Sequence, residues 1–227
     1  MNKLKIFFFL IFTFNMGAAP EGAFNTLMVK AKDVNAYVDY MKNNTGPFEA
    51  IGADMAGVCV TRSGNDYKGQ MFVWNAFPSV EKALAASDLY DPMNASDDFN
   101  KLRKVMYSAT FKPVKDFDLK PGSERLWRLK INNLPAYVKK VTQLEKAINE
   151  SGHEMRIGVF TPIAGGKEET GMYHVRAISN SAAESGAVLD DYYAGASWGR
   201  IWQESLKYVD EVVTDTMEKC EIIYTAN

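Results

Sequence analysis

The sequence predicts an α+β protein in which one β-α-β-β-α-β unit occurs twice, and three observations lead there. The first is a repeat: Asp33–Met41 contains Ala-Tyr-Val at 36–38, and Asn133–Val141 contains Ala-Tyr-Val at 136–138, one hundred residues on. The second is a matching pair of strand starts, Lys68-Gly-Gln-Met71 and Thr170-Gly-Met172, at nearly the same offset. The third is the order of hydrophobic patterns, which alternate with period two or recur near 3.6 in the same succession in both halves. The 227 residues, 47% hydrophobic and 24% charged, have an ordinary globular composition, enough for one large or two small domains.

In the first half, Phe24–Ala31 reads as a strand, with Leu27, Val29 and Ala31 alternating against Thr26, Met28 and Lys30. Asp33 caps a helix over Val34–Lys42, which Asn43-Asn-Thr-Gly46 stops. Gly57–Arg62 and Lys68–Phe77 read as a hairpin about the turn Ser63-Gly-Asn-Asp66. Ser79 caps the next helix, to about Ser87, and Asp91-Pro92 breaks it. Asp97–Met106 is predicted helical on the spacing of Phe99, Leu102 and Met106, and Ser108–Phe117 is the fourth strand. Lys120-Pro-Gly-Ser123 reads as the linker, so the repeats are expected over 24–119 and 124–227.

The second half follows with a strand at Arg125–Ile131 and a helix at Leu134–Asn149, with Pro135 in its first turn and Tyr137, Val141, Leu144 and Ile148 on one face. Glu154–Phe160 and Gly171–Ile178 are strands joined by a loop over Pro162–Thr170, and Ser181–Leu189 is a helix. A long helix is predicted from Trp198 to about Met217, with Trp202, Leu206, Val209, Val213 and Met217 facing inward, before a last strand at Cys220–Tyr224.

This order is the ferredoxin-like split unit. Two such units in tandem, over Phe24–Tyr224, resemble the dimeric α/β-barrel superfamily, which includes antibiotic-biosynthesis monooxygenase-like and stress-responsive A/B-barrel proteins. The resemblance implies two four-stranded sheets closing into one pseudo-dimeric α/β barrel with helices outside. It also implies that Arg128, Lys130, Glu154, Arg156, His174 and Arg176 face the lumen from the second half, with Thr26, Met28, Lys30, Gln70, Phe72 and Trp74 from the first. Buried cations need partners. Arg128, Lys130, Arg156 and Arg176 with Phe72 and Trp74 are therefore candidates to hold a small anionic or aromatic ligand; pairing with Glu154 and Glu221, or solvation at the rim, would satisfy the same charges. His174 is the candidate general base for the enzymatic alternative, a cofactor-poor oxygenase, isomerase or cyclase, and it reads equally as a structural histidine.

In such a barrel the strand order 4-1-3-2 places the second strand of one sheet beside the fourth of the other. That would bring Cys59 and Cys220 to one seam, as a disulfide or as two buried thiols. The superfamily includes haem proteins with a histidine ligand, but no histidine falls on the helices after the third strands, so no cofactor is expected; no zinc spacing exists either. Asp97-Asp98 and Asp190-Asp191 read as helix-end residues rather than metal ligands.

Residues 1–19 read as a signal peptide: Lys3 and Lys5 precede the apolar run Ile6–Phe14, and cleavage is expected between about 17 and 23. Nine apolar residues fall short of the roughly 20 that span a membrane. A periplasmic or secreted protein without stable membrane insertion is therefore expected. The net charge of −2 offers no attraction to nucleic acid. The sequence leaves the oligomeric state open.

Overall fold

The computed structural model describes residues 20–226; the expected signal peptide lies outside the described residues. The first half contains β1 (Ala23–Ala31), α1 (Val34–Asn43), α2 (Gly46–Ala50), β2 (Met55–Ser63), β3 (Gln70–Phe77), α3 (Val80–Leu89), α4 (Asp97–Leu102) and β4 (Arg103–Pro113). The second contains β5 (Gly122–Ile131), α5 (Leu134–Glu150), β6 (Arg156–Ala164), α6 (Gly166–Glu169), β7 (Tyr173–Ser179), α7 (Ala182–Tyr193), α8 (Gly199–Ser205) and β8 (Val209–Thr225).

The eight strands close a barrel in the order β1-β3-β2-β8-β5-β7-β6-β4. Each half contributes its strands in the order 4-1-3-2, and the halves join at two antiparallel seams, β2 with β8 and β4 with β6. Each half packs its own apolar face under its own helices. Leu27, Val29, Val58 and Val73 meet Tyr37, Val38 and Met41 of α1; Trp127, Leu129, Ile157 and Val175 meet Tyr137, Val141, Leu144 and Ile148 of α5. Asp33, Ser79, Asn133 and Ser181 each cap a helix by accepting a bond from a backbone N–H three residues on. Gly69, at φ +78°, allows the chain to enter β3 where a Cβ would lie 2.0 Å from the Ala31 carbonyl oxygen.

Four expectations require correction. The long helix over 198–217 ends at Ser205, and Val209–Thr225 is a 17-residue strand. Its apolar spacing fits a helix, but Val209, Val212, Val213, Thr214 and Thr216 are β-branched, and pairing to β2 on one side and β5 on the other supplies backbone partners that no helix could offer. The helix over Asp97–Met106 stops at Leu102, because Arg103–Val105 pair with β1 and Met106 sits at a bulge in the same strand. The loop expected over 162–170 is shorter: β6 runs to Ala164 against β4, and Gly166–Glu169 forms one helical turn. Gly122 and Ser123, expected in the linker, already belong to β5.

Candidate functional site

Alternation along β5, β7 and β8 aims one set of polar side chains into the barrel. Arg128 and His174 are direct cross-strand partners, and so are Glu124 and Glu218. Glu169, at the end of the α6 turn, enters the same space and is 1% exposed. Its carboxylate accepts from Arg128 Nε at 3.1 Å, from Tyr107 Oη at 2.8 Å and from His174 Nε2 at 2.8 Å. Arg128 Nη2 in turn donates to Tyr107 Oη at 2.8 Å. Burial opposes charge on Glu169, but the His174 hydrogen bond, the His174 charge present only in the acid range, and the Arg128 guanidinium outweigh it and hold the carboxyl down to about 2. Burial, reinforced by Arg128 and Arg176 and only partly offset by Glu169, lowers His174 to about 4, so the imidazole is neutral at pH 7. The Phe111 ring covers it with centroids 4.2 Å apart.

A second cluster lies further along the same strands. Arg176 donates to Glu124 and rests over the Phe72 ring, 4.6 Å from its centroid. Glu124 and Glu218 are each 2% exposed. Burial and the neighbouring Glu124 push Glu218 up to about 8, so the two carboxyls hold a proton between them at neutral pH. Beside them Cys59 and Cys220, paired across the β2–β8 seam, form a disulfide. The two sulfurs and the two carboxylates gather within 4.8 Å of one another, but sulfurs bonded to each other are not thiolate ligands.

The lumen is therefore largely filled. Arg128, His174 and Arg176 are engaged with one another and with carboxylates, and Phe72 and Trp74 pack beside them, leaving about 50 Å³ of open space. Lys130 does not face this space: its side chain is 52% exposed and pairs with Glu211 at the barrel rim. Arg156, at the start of β6, donates to the backbone carbonyls of Asp118, Lys120 and Pro121. Glu154 lies ahead of β6 and accepts from Asn180. Sequence reasoning missed Glu124, Glu169, Glu218 and Tyr107. Glu124 is in phase with Arg128, so extending the β5 alternation backwards finds it.

The larger spaces lie between sheet and helices, one in each half. In the second half a cavity of about 320 Å³ is walled by Trp127, Val141, Leu144, Val188, Trp198 and Trp202 among others. Two donors on its wall, Ser185 Oγ and Trp198 Nε1, are buried without a partner. In the first half a cavity of about 490 Å³ runs under α1, α2 and α3 and touches Arg103 and Asn75.

No protein-family model matches the sequence, and no curated protein matches it. Solved structures do resemble it. A candidate monooxygenase of Lactobacillus acidophilus superposes over 90% of this chain and 95% of its own, with a TM-score of 0.57 and 11% identity. An anthrone oxidase-like protein covers 90% and 96% at a TM-score of 0.53 and 8% identity. A haem-binding protein of Thermus thermophilus covers 88% and 91% at a TM-score of 0.50 and 13% identity. At such identities the likeness is one of fold.

The chain has two histidines. His153 is held by Asp191 at 2.8 Å in the turn after α5, and His174 is sealed in the lumen against Glu169. Neither lines the 320 Å³ or the 490 Å³ cavity. Strand order, closure and these likenesses together give this chain the fold of the dimeric α/β-barrel superfamily, with both ferredoxin-like repeats in one polypeptide.

Proposed function

We propose that the protein binds a small, largely apolar aromatic molecule, and that it does so in the sheet–helix cavity of the second half rather than in the lumen. One observation carries this reading: Ser185 Oγ and Trp198 Nε1 are buried, unpartnered donors on the wall of a mainly apolar cavity of about 320 Å³, whose one charged wall residue, Arg125, is already paired with Asp215. Burying a polar group without a partner costs about 1–3 kcal/mol, and a ligand oxygen that accepts from either donor removes that cost. The walls supply the rest through indole and aliphatic surface. The ligand is thus an aromatic body bearing a carbonyl or ether oxygen.

The protein has four tryptophans, and Trp127, Trp198 and Trp202 line this cavity, so intrinsic fluorescence reports its occupancy. Titration with 2-acetylnaphthalene should quench that fluorescence saturably. 2-Ethylnaphthalene, the same shape without the oxygen, should bind about tenfold more weakly. Val188→Phe, which fills the cavity, should abolish both. Equal affinity for the two probes, or binding unchanged by Val188→Phe, would refute the assignment.

Export belongs to the same proposal. The Lys3/Lys5 and Ile6–Phe14 pattern supports it, as does the Cys59–Cys220 bond, since disulfides persist in oxidising compartments. The mass of the protein recovered from its host, cut or uncut between about 17 and 23, tests it. The cofactor-poor enzymatic reading rests on His174, neutral at pH 7 and beside the Arg128 guanidinium, as a base. Against it, the open lumen volume admits only a few waters' worth of substrate. Aromatic-substrate turnover that His174→Gln abolishes would favour it.

A further inference from the structure

Three buried or nearly buried cations of the described residues meet a carboxylate: Arg128 with Glu169, Arg176 with Glu124, and Lys115 with Glu145. Arg103 does not. It opens β4 and is 5% exposed, and among the described residues no carboxylate pairs with it. Its Nη1 donates to Tyr37 Oη at 2.6 Å, and its Nη2 donates to Tyr90 Oη at 2.9 Å and to the Pro92 carbonyl at 3.5 Å. The guanidinium plane lies 4.9 Å from the centroid of Phe99 and 5.7 Å from that of Tyr37. Dipoles and ring faces thus position the charge, and none of them neutralises it. Its Nε–H is buried with no partner. A full charge withdrawn from water without a counterion is costly, so folds supply the counterion or a ligand does.

Arg103 lines the 490 Å³ cavity of the first half. Asn75 lines the same cavity, and its Oδ1 is a buried acceptor without a partner. Asp91 also touches it, but its carboxylate accepts from Met93 N and from the Asn94 side chain. Leu27, Met41, Phe48 and Val73 give much of the remaining wall an apolar character.

We propose that this cavity is a second site, distinct from that of the other half, which takes a small organic carboxylate whose anionic end pairs with Arg103 and whose apolar body fills the space under α1–α3. A carboxylate accepts from Nε–H and supplies the missing countercharge. A hydroxyl or amide N–H elsewhere on the same molecule would satisfy Asn75 Oδ1.

The test is calorimetric titration of the purified protein with 2-naphthoate, with its neutral counterpart 2-naphthamide, and with inorganic phosphate, while NMR follows the Arg103 Nε–H resonance. Naphthoate should bind at least about tenfold more tightly than naphthamide and shift that resonance, and Arg103→Met should erase the preference. Equal affinities, no naphthoate binding, or binding that leaves the Arg103 resonance unmoved would overturn the proposal. Phosphate binding as tight as naphthoate would overturn the apolar-body part of it. Should Arg103→Met fail to fold, the resonance of the unsubstituted protein decides. Naphthoate entering the second-half cavity instead would quench the tryptophans and leave Arg103 unmoved, so the two sites fail separately.

Discussion

Tyr37 and Tyr137 are the same residue of the same repeat, both 0% exposed, yet their hydroxyls meet different surroundings. In the first half Tyr37 Oη accepts from Arg103; in the second, Tyr137 Oη has no partner. Burial raises the pKa of both, and Arg103 offsets part of the rise for Tyr37. Around these two tyrosines the halves have diverged in how they handle charge. The second half sends Arg128 and Arg176 into the lumen, where carboxylates close on them, and the one arginine at its sheet–helix cavity, Arg125, is paired with Asp215. The first half fills its part of the lumen with Met28, Phe72 and Trp74 and puts its one buried arginine beside the sheet–helix cavity. A duplicated fold thus offers two cavities from one backbone plan, one whose arginine has a carboxylate partner and one whose arginine has none among the described residues.

Breaking the closed network should have the largest effect. Glu169→Ala leaves Arg128 buried without a countercharge and should cost about 3–5 kcal/mol in urea unfolding. Arg103→Met removes an already unpaired charge and should stay within about 1 kcal/mol of the parent, the loss of the Tyr37 and Tyr90 bonds offsetting the relief. Equal losses in the two variants would erase the contrast between the halves.

The next effect is a pH dependence. Burial and Glu124 push Glu218 up to about 8 in the fold from the ordinary carboxyl value of 4.5, so the native state holds an extra proton and stability falls as pH rises through that interval. Burial lowers His174 to about 4 from the ordinary 6.5, so the unfolded state holds the extra proton and stability rises with pH between those values. The two slopes oppose between 4.5 and 6.5 and nearly cancel; from 6.5 to 8 Glu218 acts alone. Stability should therefore decline from pH 6.5 to 8, by on the order of 1–2 kcal/mol. Glu218→Gln should flatten that decline, and an unchanged decline in this variant would show that the carboxyl pair does not carry the proton.

A further pair of variants compares the two tyrosines directly. Tyr37→Phe removes the acceptor of a charged donor and should cost about 1.5–3 kcal/mol. Tyr137→Phe deletes an unpaired buried hydroxyl and should be neutral or slightly stabilising. Thermal unfolding of the pair measures the difference; identical shifts would mean that Tyr137 Oη has a partner in solution.

Local pattern determined a good deal of this. Period-two alternation in β5 and β7 put Arg128, His174 and Arg176 on one face and Trp127, Leu129, Val175 and Ala177 on the other, because side chains alternate strictly across a strand. Side-chain caps at Asp33, Ser79 and Ser181 fixed helix starts, because those bonds span three residues of sequence. The repeat announced two units. The tertiary structure alone decided what lies far apart in sequence. Whether 209–217 is helix or strand depended on the edges of β2 and β5, which only closure provides. Glu169 reaches Arg128 across 41 residues, and Arg103 reaches Tyr37 across 66, through contacts that leave no periodic trace. Lys130 and Arg128 share a strand face on paper, yet one lies at the rim and the other is sealed, because depth along a barrel is set by its closure and not by alternation.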